Sequence, residues 1–151
     1  MDFLANEQIL FYSGDKYEPI YEHLNNEYGI KYSKIFLICA CIGFKNNFLE
    51  EITGKGKEFR STYLKAEERA NLYTIIINDC ELGHQVEMFD NKEFINNCKK
   101  KIERYAAGGM KILVDNVFNT NWNGYNLDKN YSEYDIDIMM YIYSIISEMP
   151  F

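Results

Sequence analysis

Histidine, proline and tryptophan are scarce in this sequence: two, two and one in 151 residues. His23 and His84 stand far apart, with no HxH or HExxH spacing, so a zinc centre of the usual kind is not expected. The four cysteines, Cys39, Cys41, Cys80 and Cys98, form no CxxC pair and have no ligand histidine beside them. They read as buried, reduced thiols of a cytoplasmic protein. No GxSxG nucleophile turn and no GxxxxGK[ST] phosphate loop occurs. These gaps leave no catalytic residue, no metal ligand and no cofactor to name, and the chain is expected not to be an enzyme. Long apolar runs are missing too. The longest, Ile35 to Ile42, falls well short of the roughly 20 residues that span a membrane, so no membrane role is expected. MDFLANEQ at the start has no basic stretch, and no secretory leader is expected. Few prolines and nine glycines argue against a low-complexity or disordered chain.

What is present is apolar and aromatic: 47% hydrophobic and 16% Phe, Trp and Tyr. That suffices for one core, and residues 1–151 read as a single domain. The net charge of −7 is unevenly spread. Residues 1–30 and 112–151 are each strongly acidic, whereas 31–65 carry seven basic and three acidic residues. Either the acidic ends fold against the basic middle, or the middle forms a patch for phosphate or an acidic partner.

The stretch from Lys31 to Asn47, KYSKIFLICACIGFKNN, organises the rest. Within it, Ile35–Ile42 shows no polar face at period 2 or 3.6, so the segment is buried on all sides. It reads as a central helix over about 33–43, capped by Ser33. Before it lie an N-terminal arm, 1–14, and a helix opened by Asp15 and Glu18 and ended by Gly29. After it, Gly54 and Gly56 alternate with Lys55 and Lys57, and Arg60 follows: a solvated loop, or one that contacts a partner. Leu64–Cys80 reads as a helix, and 84–89 as a loop or brief extended piece. Asp90 or Asn91 caps a further helix whose polar side carries Lys99, Lys100, Lys101 and Arg104. Ala106-Ala107-Gly108-Gly109 either stops that helix or lets another approach closely. Residues 119–131 form an Asn-rich loop, with Trp122 and Tyr125 as its anchors or as partner contacts. Ser132 opens a last helix, 132–149, that Pro150 ends. It is apolar around much of its surface, and is either a second core helix or a subunit contact in a homo-oligomer. The fold class is therefore all-α: five or six helices around the buried helix 33–43, with room for one small β-hairpin at 48–63 or 84–89.

Glu50 and Glu51 with Lys55 and Lys57 resemble in outline the acids and lysine of a metal-dependent nuclease, but lack a spaced aspartate and a strand to carry them.

One family resemblance is visible. Lys34-Ile35-Phe36-Leu37, Ala40 and Gly43-Phe44-Lys45-Asn46 are followed by the basic loop, Glu67-Glu68, Ala70 and Leu72-Tyr73. Tyr105-Ala106-Ala107-Gly108-Gly109-Met110-Lys111-Ile112-Leu113 closes the pattern. Over residues 31–115 this order resembles the small DNA phosphorothioation (Dnd) system-associated protein four family of bacterial anti-phage defence accessory proteins. The resemblance implies a non-catalytic accessory subunit of a defence complex. It would bind a larger ATPase or nuclease partner, or help that partner engage DNA. The alternatives are an autonomous DNA-binding or regulatory module and, behind it, a small metal-dependent nuclease. The contact residues expected for a partner or for DNA are Lys45, Lys55, Lys57 and Arg60, followed by Lys99, Lys100 and Arg104.

Overall fold

The computed structural model describes residues 2–147. In chain order its elements are α1 (Phe3–Asn6), β1 (Leu10–Tyr12), α2 (Glu18–Tyr28), α3 (Tyr32–Lys45), β2 (Glu58–Arg60), α4 (Ala66–Asn78), α5 (Lys92–Asn116) and α6 (Tyr134–Ser147). Two 3₁₀ segments, Ser61–Tyr63 and Leu82–Met88, flank α4. The second replaces the loop or extended piece expected at 84–89.

α3 shows no polar face between Ile35 and Ile42 because the body covers that stretch, with Ile38 and Cys41 half-buried; only the ends, at Lys34 and Lys45, are exposed. Ile35, Phe36, Leu37, Cys39, Ala40, Ile42 and Gly43 are all buried. It starts at Tyr32, with Lys31 in the N-cap position and no side-chain cap, so Ser33 lies inside the helix rather than before it. It ends where Asn46 Nδ2 donates to the Ile42 carbonyl and Asn47 turns left-handed at φ +50°.

The principal partner of α3 is α5, a 25-residue helix. Asn91 caps it by accepting from the Phe94 N–H. Ala106–Gly109 does not stop it. A Cβ on Gly109 would stand 2.6 Å from the carbonyl carbon of Cys39, and one on Gly108 would stand 2.9 Å from Phe48 Cδ1. On the other helix, a Cβ on Gly43 would stand 3.0 Å from the Gly109 nitrogen. The glycines let the two backbones touch, and the apolar residues Met110, Leu113 and Val114 continue the same buried face.

The β pairing differs from the expected hairpin. β2 lies inside 48–63, but its partner is the N-terminal arm: Leu10 faces Arg60, Phe11 faces Phe59 and Tyr12 faces Glu58, antiparallel. Phe11 and Phe59 stack at 5.4 Å, and Phe36 of α3 packs edge-on against Phe59 at 5.0 Å. The arm is therefore part of the core, and Phe3, Leu4 and Phe11 are buried.

Two further expectations give way. Asp15 does not cap α2; Tyr17 occupies that position, and the Asp15 carboxylate serves the glycine loop instead. In the 119–131 loop, Trp122 is half-buried but Tyr125 is exposed, and the anchor is the buried Leu127. The last helix begins at Tyr134, whose hydroxyl donates to the Asp128 carbonyl. Its expected end at Pro150 lies outside the described residues. Cys39 and Cys98 are buried as expected, whereas Cys41 is half-buried and Cys80 exposed, and all four thiols are free.

Candidate functional site

Tyr12 ends β1 on the surface of α5. Its N–H donates to Glu103 Oε2 at 2.8 Å. Lys99, one turn earlier on α5, donates to the same oxygen at 2.9 Å. The Lys99 ammonium also lies 4.7 Å from the centre of the Tyr12 ring, and the Lys55 ammonium lies 5.7 Å from it. Two cations from segments far apart in sequence thus share one aromatic ring, an electrostatically favourable contact. Glu103 is buried, and burial pushes its carboxyl above the usual range; Lys99 and the Tyr12 N–H offset that only in part.

The glycine loop is held, not free. Ser13, Gly14 and Asp15 donate backbone N–H groups to the carbonyls of Lys57, Lys55 and Thr53. Asp15 Oδ1 accepts from the Gly56 N–H at 3.0 Å, and Ser13 Oγ accepts from the Lys57 N–H at 2.9 Å. Gly54 and Gly56 take φ of +67° and +63°, which side chains other than glycine rarely adopt. This clamp fixes where Lys55 begins.

The seven expected contact residues divide. Lys55 and Lys99 meet at Tyr12. Lys100, exposed, and Arg104 sit on the same helix as Lys99. Arg104 Nε lies 2.8 Å from Glu51 Oε1, but its N–H is not directed at that oxygen, so the pair is held by charge alone. Lys57 turns away, 3.3 Å from Glu22 and over the Tyr32 ring at 5.7 Å. Arg60 lies against Gln8; with the amide oxygen turned inward, Gln8 accepts from Nε and Nη1, each at 2.9 Å. Lys45 is exposed at the end of α3 and lines a groove beside α6.

The acids of the nuclease-like outline are drawn apart. Glu50 accepts from Lys16 at 2.7 Å and from the Tyr17 hydroxyl at 2.9 Å, while Glu51 faces Arg104. Among the described residues, no group of three or more His, Cys, Asp or Glu side chains could hold a metal ion. His23 stands edge-on to Tyr134 at 5.5 Å, with its Nε2 unpartnered.

Tyr12 and Glu103 were not legible as site residues. Glu103 is four residues beyond Lys99, which suggests a helix-surface ion pair and nothing more. Tyr12 carries no sequence signal at all. A second buried acid, Asp79, was also missed. Its carboxylate accepts from the N–H groups of Glu81 and Leu82, each at 2.9 Å, and from the Tyr105 hydroxyl at 2.5 Å. Lys101 Nζ lies 3.5 Å away. Burial alone would raise this carboxyl; the Leu82 N–H, the Tyr105 hydroxyl, the Glu81 N–H and Lys101 together outweigh it and hold it below the usual range. This cluster joins the end of α4 to α5 and faces inward.

Comparison with protein-family models, curated proteins and solved structures gives no match to this chain.

Proposed function

We propose that this chain is a non-catalytic accessory subunit of a bacterial anti-phage defence complex, acting in the cytoplasm. It binds a larger ATPase or nuclease partner through the surface around Tyr12. The resemblance over residues 31–115 supports the setting. The observation that carries the surface is the convergence of Lys55 and Lys99 on Tyr12, with Lys100 and Arg104 on the same helix as Lys99. The exposed Lys55 and Lys100, beside an aromatic ring on a clamped backbone, suit an acidic protein segment: their ammonium groups meet carboxylates while Lys99 stays on Glu103, and little ordering remains to be done on binding.

Direct DNA binding ranks second. Lys16, Lys34, Lys57, Arg69, Lys99, Lys101, Arg104 and Lys111 each stand within ion-pair distance of a carboxylate of the same chain. A phosphate backbone needs many of those cations at once, and the net charge of −7 opposes its dense charge more strongly than that of a short acidic segment. We infer that any contact with DNA is made through the partner.

Copurification of the tagged chain with the products of its neighbouring genes tests this reading. The charge-reversing pair Lys55→Glu and Lys100→Glu should reduce that association at least tenfold while leaving the fold intact. A folded wild-type chain that retains none of those products would overturn it.

A further inference from the structure

α6 turns two apolar faces in opposite directions. Tyr134 and Ile138 are buried against the body. Ile136, Met140 and Tyr143 point away from it, with Met139 and Ile146 at the edges beside grooves against α3, each of the five between 50% and 73% exposed. At about 100° per residue these five fall on one stripe that runs the length of the helix. An uncharged stripe of this kind is unusual on a surface that stays in water.

We propose that this stripe is the interface of a two-fold dimer, in which α6 packs antiparallel on α6 of a second copy. Three observations select that occupant. First, the stripe is its own complement. A two-fold axis at the level of Tyr141 brings Ile136 against the partner's Ile146 and Met139 against the partner's Tyr143, with Met140 beside the axis. Second, the area is sufficient. Five side chains of this size at this exposure offer roughly 500–600 Å². A symmetric pair therefore buries about 1,000–1,200 Å² in total, where specific interfaces begin. Third, the charges choose the orientation. Glu133, Asp135 and Asp137 stand at the N-terminal end of α6, and no Lys or Arg follows Lys129 in the sequence. Parallel helices would set these carboxylates against one another. Antiparallel helices set these three carboxylates about 15 Å or more from their counterparts, beyond the screening length at physiological salt, and in the sequence one acid, Glu148, follows the stripe. The same lack of cations weighs against an anionic membrane as the occupant. This inference is independent of the surface at Tyr12.

Sedimentation equilibrium of the full chain between about 1 and 100 µM tests it. The wild type should be a dimer. Met140→Glu with Tyr143→Glu alters only exposed positions; it should give a folded monomer, with its helical circular dichroism unchanged. Ile136→Lys alone should weaken the dimer at least tenfold. Ile136→Lys combined with Ile146→Glu should restore it, because the new lysine meets the partner's new glutamate only in the antiparallel arrangement. A wild type that stays monomeric at 100 µM overturns the proposal, whatever else then occupies the stripe. So does a dimer that survives Met140→Glu with Tyr143→Glu. Co-sedimentation of a monomer with phosphatidylcholine–phosphatidylglycerol vesicles overturns it in favour of a membrane surface.

Discussion

The carbonyl group of Cys39 occupies the space where a side chain on Gly109 would begin. That contact, with the reciprocal one of Gly43 on the Gly109 nitrogen, limits how closely α3 and α5 can cross, and α3 and α5 share the most extensive helix contact of the fold.

Gly109→Ala should therefore be costly although it adds a single methyl group. The methyl must push backbone, not a flexible side chain, and overpacking of this kind costs about 1–3 kcal/mol or more. Gly29→Ala is the control. Gly29 has φ of +67° and nothing within 4 Å of its Cβ position, so only backbone strain of about 1 kcal/mol opposes the change. Urea denaturation should rank Gly109→Ala as clearly the more damaging. Equal losses would contradict the close crossing.

Asp79 should behave as a structural acid. Asp79→Ala leaves the Tyr105 hydroxyl, two backbone N–H groups and Lys101 without their acceptor, a loss of about 3 kcal/mol. Its pH dependence has a definite sign. The folded carboxyl lies below its unfolded value of 3.8, so its contribution is complete above that value and is lost as pH falls through the folded one. Urea midpoints from about pH 6 to pH 2.5 should fall more steeply for the wild type than for Asp79→Asn. Parallel slopes would show that Asp79 is not held in this way.

Glu103 should show the opposite sign. Burial raises its folded value above the unfolded one, so its contribution is complete below the unfolded value and is lost as pH rises through the folded one. The stability of the wild type relative to Glu103→Gln should therefore decline with rising pH. Glu103→Ala removes the acceptor of the Tyr12 N–H, and hydrogen exchange at that amide should speed up at least tenfold, while Glu103→Gln keeps an oxygen there and should change it less. Unchanged exchange in Glu103→Ala would mean that β1 is held without this bond.

Much of the helical frame was legible because its signals are local. Ile35–Ile42 lacks any polar side chain, Asn91 precedes an amphipathic helix, and Gly29 ends another. What depends on distant contacts was not legible. β1 and β2 have three residues each, too few to show a period, and their pairing joins the arm to a segment beyond the central helix. Asp15 with Glu18 matches a capping box, yet the Gly56 N–H competes for the same carboxylate and takes it. Ala106–Gly109 left two readings open, because small residues permit both a helix stop and a close crossing; only the position of α3 decides. For the candidate site, Lys55 and Lys99 were named from their charge alone. Tyr12, which brings them together, offers no local signal. α6 is apolar almost all round, and such a helix does not announce which face the body will cover.

The most direct test is affinity purification of the tagged chain from cells that carry its neighbouring genes, wild type beside Lys55→Glu with Lys100→Glu. Both positions are exposed, so the variant should keep its helical circular dichroism and its thermal midpoint. The account predicts that the wild type brings down a larger ATPase or nuclease and that the variant loses it by at least tenfold. An equal yield of the partner with both proteins would contradict the role given to the surface around Tyr12, and a wild type that brings down no such protein would contradict the function.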